Sequence, residues 1–483
     1  MGRASLGKRG KIMHTQAARS FFPLNPLEPL VKALSIAIAL LCSMLLAAIA
    51  QRHTAGATLS HEEQLAVILP CLFLLSLAAQ TVGGLVRRRL GLSDTIGWIL
   101  VGILLTNVPG IKDVVEHTLH DPRFHLHTAL EMVSGVGVWF LLTEAGLETE
   151  LPTLIQNAGR GTVIALIGVL VPGILIYIAL PALYPELSPL GRTLVAAMFT
   201  PTSLGVAAIF FKSAGILSSR TAQLVMAVAA IDDIIGLLIL TTLNGMSGGG
   251  QVRIADILLL LGKAIAFFAA ALTSGHILAP RFSSFLAKLN DHEAMRLMLA
   301  LFSASTFTFL AWAWGLSPLM GAYAGGVFLT SVHFKEFPRD TEEHGVEHLL
   351  RGVKYTLVPV FIASVAMKAN ISLFLHPKPM LLLLTGVGAL VFGKWISARF
   401  GGRGIDAATL QWGALARGEV ALVMANMGLA SHLFSAEIMT VAVMSMVATI
   451  LLASVFLGPA IKRAQTRDPG IFAPVGSVVH EHD

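Results

Sequence analysis

The stretch Ala229-Ala230-Ile231-Asp232-Asp233-Ile234-Ile235-Gly236-Leu237 decides how the rest of the chain is read. Two adjacent carboxylates interrupt an apolar run near 219–243. A bilayer crossing takes about 20 predominantly apolar residues, and this run is long enough. An ionised aspartate at membrane depth costs about 2.5–3.5 kcal/mol even on the lenient insertion scale. Two together cost more, and their repulsion makes at least one hold a proton more tightly. Such a pair survives where it meets a cation, a proton or a basic partner. The alternative is a polar pair that serves helix packing alone. The cost favours a site for protons and cations.

Composition supports a membrane reading of the whole chain. Of its 483 residues, 55% are hydrophobic and 13% charged, and the mean hydropathy is +0.76. Soluble domains carry about 25% charged residues. The apolar excess must face lipid. The net charge of +6 is scattered through short loops with no aromatic-interleaved patch, so nucleic acid is not an expected partner. Cys42 and Cys71 both fall in apolar runs and read as small core residues, not a disulfide framework.

Apolar runs lie near 31–50, 64–86, 94–109, 128–147, 160–182, 190–211, 219–243, 254–277, 293–313, 315–333, 352–370, 379–398, 406–430 and 436–460. They predict an all-α polytopic membrane protein with about fourteen helices. With the N-terminus cytoplasmic, the loops assigned inside hold most of the basic residues: Arg87 to Arg89, Arg160, Lys212, Arg220, Arg281, Lys288, Lys335, Arg339 and Arg403. The tail adds Lys462, Arg463 and Arg467; loops assigned outside hold Arg52, Lys112, Arg123 and Lys378. This asymmetry predicts cytoplasmic termini. The first run follows Arg3, Lys8, Arg9, Lys11 and Arg19 and ends in Ala48-Ile49-Ala50, which resembles a signal peptide. Its length favours a retained helix. The expected organisation is therefore a tail, extra helix and loop over 1–63, a transmembrane unit over 64–460, and a short cytoplasmic tail over 461–483.

Basic residues inside the later runs supply partners for the aspartates. Lys394 stands in Phe392-Gly393-Lys394-Trp395, and Arg417 in Ala416-Arg417-Gly418-Glu419. Lys394 could instead snorkel to the interface. Lys263 and Lys368 read as snorkelling or interfacial. Two helices read as broken. One contains Thr200-Pro201-Thr202-Ser203-Leu204-Gly205, where proline removes a backbone donor and three hydroxyls ease unwinding. The other contains Gly413, Arg417, Gly418 and Glu419. A simple kink at Pro201 is the alternative. Paired interruptions point to inverted repeats that meet at a midplane site, with unwound backbone free to coordinate a bare cation.

Together these segments resemble the monovalent cation–proton antiporter superfamily. Thr200 to Gly205, Ile231-Asp232-Asp233, Gly393-Lys394 and Arg417-Gly418-Glu419-Val420 look like its landmarks. Leu141-Leu142-Thr143-Glu144-Ala145-Gly146-Leu147-Glu148 is similar to its F-E-x-G-L-E segment, with Thr143 in place of the usual aromatic. Pro359-Val360-Phe361 and Gly458-Pro459 look like weaker marks. The resemblance runs from about 64 to 460. It implies two crossed, discontinuous helices in a core that interleaves with a dimerisation subdomain and moves like an elevator. It implies a homodimer in a bacterial-type inner membrane, serving pH homeostasis, with lipid as its surroundings and no cofactor. It implies that Asp233 binds Na+ or H+, and that Asp232 pairs with Lys394. Thr200, Thr202 and Ser203 would line the site, and Arg417, Glu419 and Glu144 would supply supporting charge. The double-aspartate pair resembles the electrogenic branch, in which protons outnumber sodium ions in each cycle.

The function expected is thus secondary antiport of Na+, with Li+ as a further driver ion, for H+. Potassium/proton exchange or potassium efflux is the alternative within transport. The gated efflux systems carry a nucleotide-binding domain, and no G-x-G-x-x-G fingerprint occurs in this sequence. An intramembrane aspartyl protease is a remote alternative. Its two aspartates must face each other, whereas adjacent residues of one helix diverge by about 100°. His344-Gly345-Val346-Glu347-His348 has the H-x-x-E-H spacing of inverted zinc proteases but lies in a short loop, where solvated residues are the simpler reading. His480, Glu481 and His482 read as part of a loose tail.

Overall fold

The computed structural model describes residues 60–90, 92–122, 124–147, 151–246, 259, 262–271, 273–274, 277, 293–331, 346–374, 376–468 and 470–472. Among them every regular element is a helix. In chain order these are α1 (His61–Leu90), α2 (Asp94–Asn107), α3 (Ile111–Leu119), α4 (Leu126–Leu147), α5 (Leu151–Leu183), α6 (Pro189–Met198), α7 (Leu204–Ser213) and α8 (Arg220–Met246). They continue as α9 (Glu293–Ala313), α10 (Pro318–Ser331), α11 (Val346–Met367), α12 (Ile371–Phe374), α13 (Pro377–Ala398), α14 (Ala407–Gly413), α15 (Glu419–Ala430) and α16 (Ala436–Arg467). A further apolar helix covers Gly262–Ala271.

Local chemistry sets the starts. Ser93 accepts from the Thr95 amide at 3.3 Å, and Asp406 accepts from the Thr409 amide at 2.7 Å. Ser188 caps α6 through the Gly191 amide at 3.1 Å, with Pro189 as the first helical residue, where a missing N–H is harmless. Large apolar side chains such as Phe73, Leu170, Ile174, Ile178 and Phe302 remain exposed. On a protein this apolar, that surface meets lipid.

Six helices among the described residues are long and apolar enough to cross a membrane; a seventh crossing appears if the α2–α3 pair, bent by 90°, counts as one. The expected tally of about fourteen is not reached, for local reasons. The runs at 190–211 and 406–430 each divide into two helices with a non-helical break, so neither half is long enough alone. The apolar parts of α9, α10 and α11 are also short. The run at 31–50 lies outside the described residues, and 254–277 is described only in part. The last helix continues past 460 to Arg467.

The helices pack as two groups around one continuous buried apolar cluster. The first joins α1, α2, α4, α9, α10 and α11. The second joins α5 to α8 and α13 to α16. Between α11 and α13 the chain passes from one group to the other. There Asn107 donates to the Ala369 carbonyl at 2.9 Å and accepts from the Ile371 amide at 2.7 Å. On the other side, the Asn370 amide donates to Thr440 Oγ1 at 3.0 Å.

Candidate functional site

The site is built where the two broken helices of the second group touch. α6 ends at Met198, and Pro201, which lacks an amide hydrogen, sits in the non-helical segment before α7. Ser203 then restarts the helix, its Oγ accepting from the Val206 amide at 3.3 Å. Likewise α14 ends at Gly413 and α15 restarts at Glu419. The two breaks bond to each other: the Ser203 amide donates to the Ala416 carbonyl at 2.9 Å. Gly418 lies so close that a Cβ there would sit 2.5 Å from Ser203 Cβ. Only a residue without a side chain fits that contact.

α8 presents Asp232 and Asp233 to this junction. Asp232 is fully buried and Asp233 nearly so. Lys394, from α13, is also fully buried, and its Nζ lies 2.7 Å from Asp232 Oδ2. It does not snorkel. Gly168 on α5 makes room for the amine, since a Cβ there would lie 2.9 Å from Nζ. Thr202 Oγ1 is 2.6 Å from the same carboxylate oxygen and 3.0 Å from the Ala414 carbonyl. Its single hydrogen can serve only one acceptor at a time. Asp232 Oδ1 accepts no hydrogen bond among the described residues.

Arg417 closes the other side. Its Nη1 donates to the carbonyls of Thr200 and Pro201, the loose oxygens where the first helix unwinds. Its own amide donates to Thr449 Oγ1 at 3.3 Å. The guanidinium is buried within electrostatic reach of both aspartates. Two acids and two bases thus share one water-poor volume, and their formal charges cancel. This meets the requirement that buried charge be paired. The cluster can exchange charge states: a proton or cation arriving at one carboxylate redistributes the pairing of the others.

Of the residues singled out in the sequence, Asp232, Asp233, Thr200, Thr202, Ser203, Lys394 and Arg417 come together here. Glu419 opens α15, but its side chain lies outside the described residues. Glu144 stands on α4 in the first helix group, packed beside α10 and α11. Gly168, Thr449 and the carbonyls of Ala414 and Ala416 were missed. Backbone acceptors and a space-making glycine leave no pattern in one sequence. His344 lies outside the described residues, and no cluster of three or more metal-ligating side chains occurs among those described.

Residues 74–463 match the family described as sodium/hydrogen exchanger, transmembrane. The chain belongs to this family. The exchanger is 26% identical over 418 residues to the high-affinity Na(+)/H(+) antiporter NhaS3 of Synechocystis sp., covering 79% of this chain and 88% of that one. It is 26% identical over 384 residues to the Na(+)/H(+)-K(+) antiporter GerN of Bacillus cereus, covering 78% and 92%. Among solved structures, the sodium proton antiporter MjNhaP1 of Methanocaldococcus jannaschii shares the exchanger's fold with a TM-score of 0.61 at 15% identity, over 86% of this chain and 100% of that one. The exchanger is therefore an integral membrane cation/proton antiporter, in a family of transporters and not of enzymes.

Proposed function

We propose that the chain exchanges Na+ for H+ by alternating access, with Asp233 as the carboxylate that binds either ligand. The observation that carries this reading is the buried Asp232–Lys394 pair at the contact of two helix breaks. Asp232 is engaged by the lysine and Thr202, and Asp233 is the second buried acid beside it, within electrostatic reach of Arg417. Carbonyls freed by unwinding and the hydroxyls of Thr200, Thr202 and Ser203 provide oxygen ligands suited to a small hard cation. No cofactor enters the cycle; sodium and protons are cargo.

The finer features belong to the same proposal. The broken helices cross at the midplane of two inverted repeats. The second helix group is the mobile core, and the first is the dimerisation subdomain of a homodimer. The membrane is a bacterial-type inner membrane with both termini cytoplasmic. Exchange is electrogenic, because the pair of acids returns more protons than the sodium it exports. Selectivity for sodium over potassium rests on the relatives' names, and GerN is named for both ions.

Purified protein in proteoliposomes tests the reading. Sodium gradients, and lithium gradients as well, should drive proton movement, and potassium gradients should drive little. Apparent sodium affinity should weaken as pH falls, because protons compete for the same carboxylates. A sodium affinity constant across the active pH range would overturn the shared site. Potassium driving as well as sodium would replace the ion and leave the site standing.

A further inference from the structure

The outer face of α13 carries a feature that ion exchange does not use. Phe392 and Trp395 stack with ring centroids 6.0 Å apart and planes 20° from parallel. The Arg399 guanidinium lies over the Trp395 ring, 4.2 Å from its centroid. These residues follow helical spacing along one exposed stripe, and Phe400 extends it, half exposed. Lys394, one position before Trp395, is fully buried on the other side. The stripe is thus an aromatic column topped by a cation.

Three more arginines lie on or beside the loop that follows α13. Gly402 has φ of +85°, a left-handed conformation that favours glycine. A Cβ there would also lie 3.1 Å from Arg160 Nη1 on α5. A Cβ on Gly404 would lie 3.8 Å from Arg220 Nη1, at the start of α8. Arg403 stands between these two glycines and is exposed, as are Arg160, Arg220 and Arg399. The side chains of these four arginines make no hydrogen bond or ion pair among the described residues. The nearby acid, Asp406, spends Oδ2 on the Thr409 amide at 2.7 Å. Four like charges seated by glycine backbone and an aromatic face, with Asp406 as a single nearby acid, leave a net positive field beside an apolar column.

We propose that this collar is a seat for an anionic phospholipid. The phosphate would lie against Arg160, Arg220, Arg399 and Arg403, which present planar donor forks suited to phosphate oxygens. One acyl chain would run down Trp395 and Phe392. Charge complementarity selects an anion, and the aromatic column selects an anion with a hydrocarbon tail over free phosphate. The seat joins α5, α8 and α13, the helices that carry Gly168, the aspartates and Lys394. An occupied seat ties their ends together against the like-charge repulsion, so exchange should quicken as anionic lipid increases.

The test uses full-length protein in phosphatidylcholine vesicles containing a small fraction of brominated-chain lipid, either phosphatidylglycerol or phosphatidylcholine. Tryptophan quenching in wild type minus that in Trp395→Phe isolates the signal of Trp395. Brominated phosphatidylglycerol should quench Trp395 at a much lower mole fraction than brominated phosphatidylcholine. Arg160→Gln, Arg220→Gln and Arg403→Gln should each weaken that preference by about fivefold. Equal quenching by the two brominated lipids overturns the proposal, and that comparison needs no arginine variant to fold. Loss of the preference on adding inorganic phosphate at matched ionic strength also overturns it, in favour of a free-anion site.

Discussion

The two helix groups solve the problem of packing in a membrane in opposite ways. In the first, backbones approach until almost nothing but small residues fits. A Cβ on Gly146 would strike the Tyr323 carbonyl, and one on Gly326 would strike the Thr143 carbonyl. Polar links in its interior include the neutral pairs Ser134 to Ser364 and Trp139 Nε1 to Thr308 Oγ1, both at 2.8 Å. In the second group, helices are broken, and lysine, arginine and two aspartates occupy the interior. Small-residue contacts give a stiff scaffold whose ion pairs, such as Arg87 to Asp94, involve partly exposed side chains. Buried charges are kept at a cost, and they can change partners. The difference teaches that the buried charge of this fold is concentrated where the two helix breaks meet.

The largest expected effect lies in the second group. Asp233→Asn should abolish sodium-driven proton flux in proteoliposomes while the purified protein elutes and melts as a folded species. Robust flux in that variant would move the essential carboxylate elsewhere. Next comes the ion pair. Asp232→Asn or Lys394→Ala alone leaves a buried charge without its partner and should destabilise by about 3–5 kcal/mol. The double variant should recover much of that loss in thermal melting, and its turnover should respond less than wild type to a clamped membrane potential. A double variant as unstable as the sum of the singles would mean that the two residues are not coupled. The smallest effect belongs to the scaffold. Gly326→Ala forces a methyl against the Thr143 carbonyl and should cost about 1–3 kcal/mol of stability. The pH dependence of apparent sodium affinity should stay as in wild type, and a shift in it would tie the scaffold directly to ion binding.

The aspartates, the lysine and the arginine were legible because charge at membrane depth is costly enough to be conspicuous in any sequence. Lys394 is 162 positions from Asp232, yet each residue separately required a partner. The breaks were legible at Pro201 and Gly418 for the same kind of reason, since each residue disfavours a continuous helix. The helix tally was less so, because hydropathy cannot distinguish one crossing from two half-helices with an unwound middle. Lys368 shows a further limit. Read as snorkelling or interfacial, it donates to Asn426 Oδ1 at 2.9 Å and lies 3.6 Å from Glu131, linking the two groups at the rim of a cavity of about 410 Å³. A partner in the other helix group leaves no trace in local periodicity.

The bond from the Ser203 amide to the Ala416 carbonyl has a mechanical consequence. With Gly418 seated against Ser203 and Arg417 gripping the carbonyls of Thr200 and Pro201, the two breaks form a single joint instead of two hinges. A joint of this kind transmits displacement without flexing. A displacement of either break would therefore carry α6, α7, α14 and α15 along as one cassette, with the backbone oxygens at the junction keeping their arrangement.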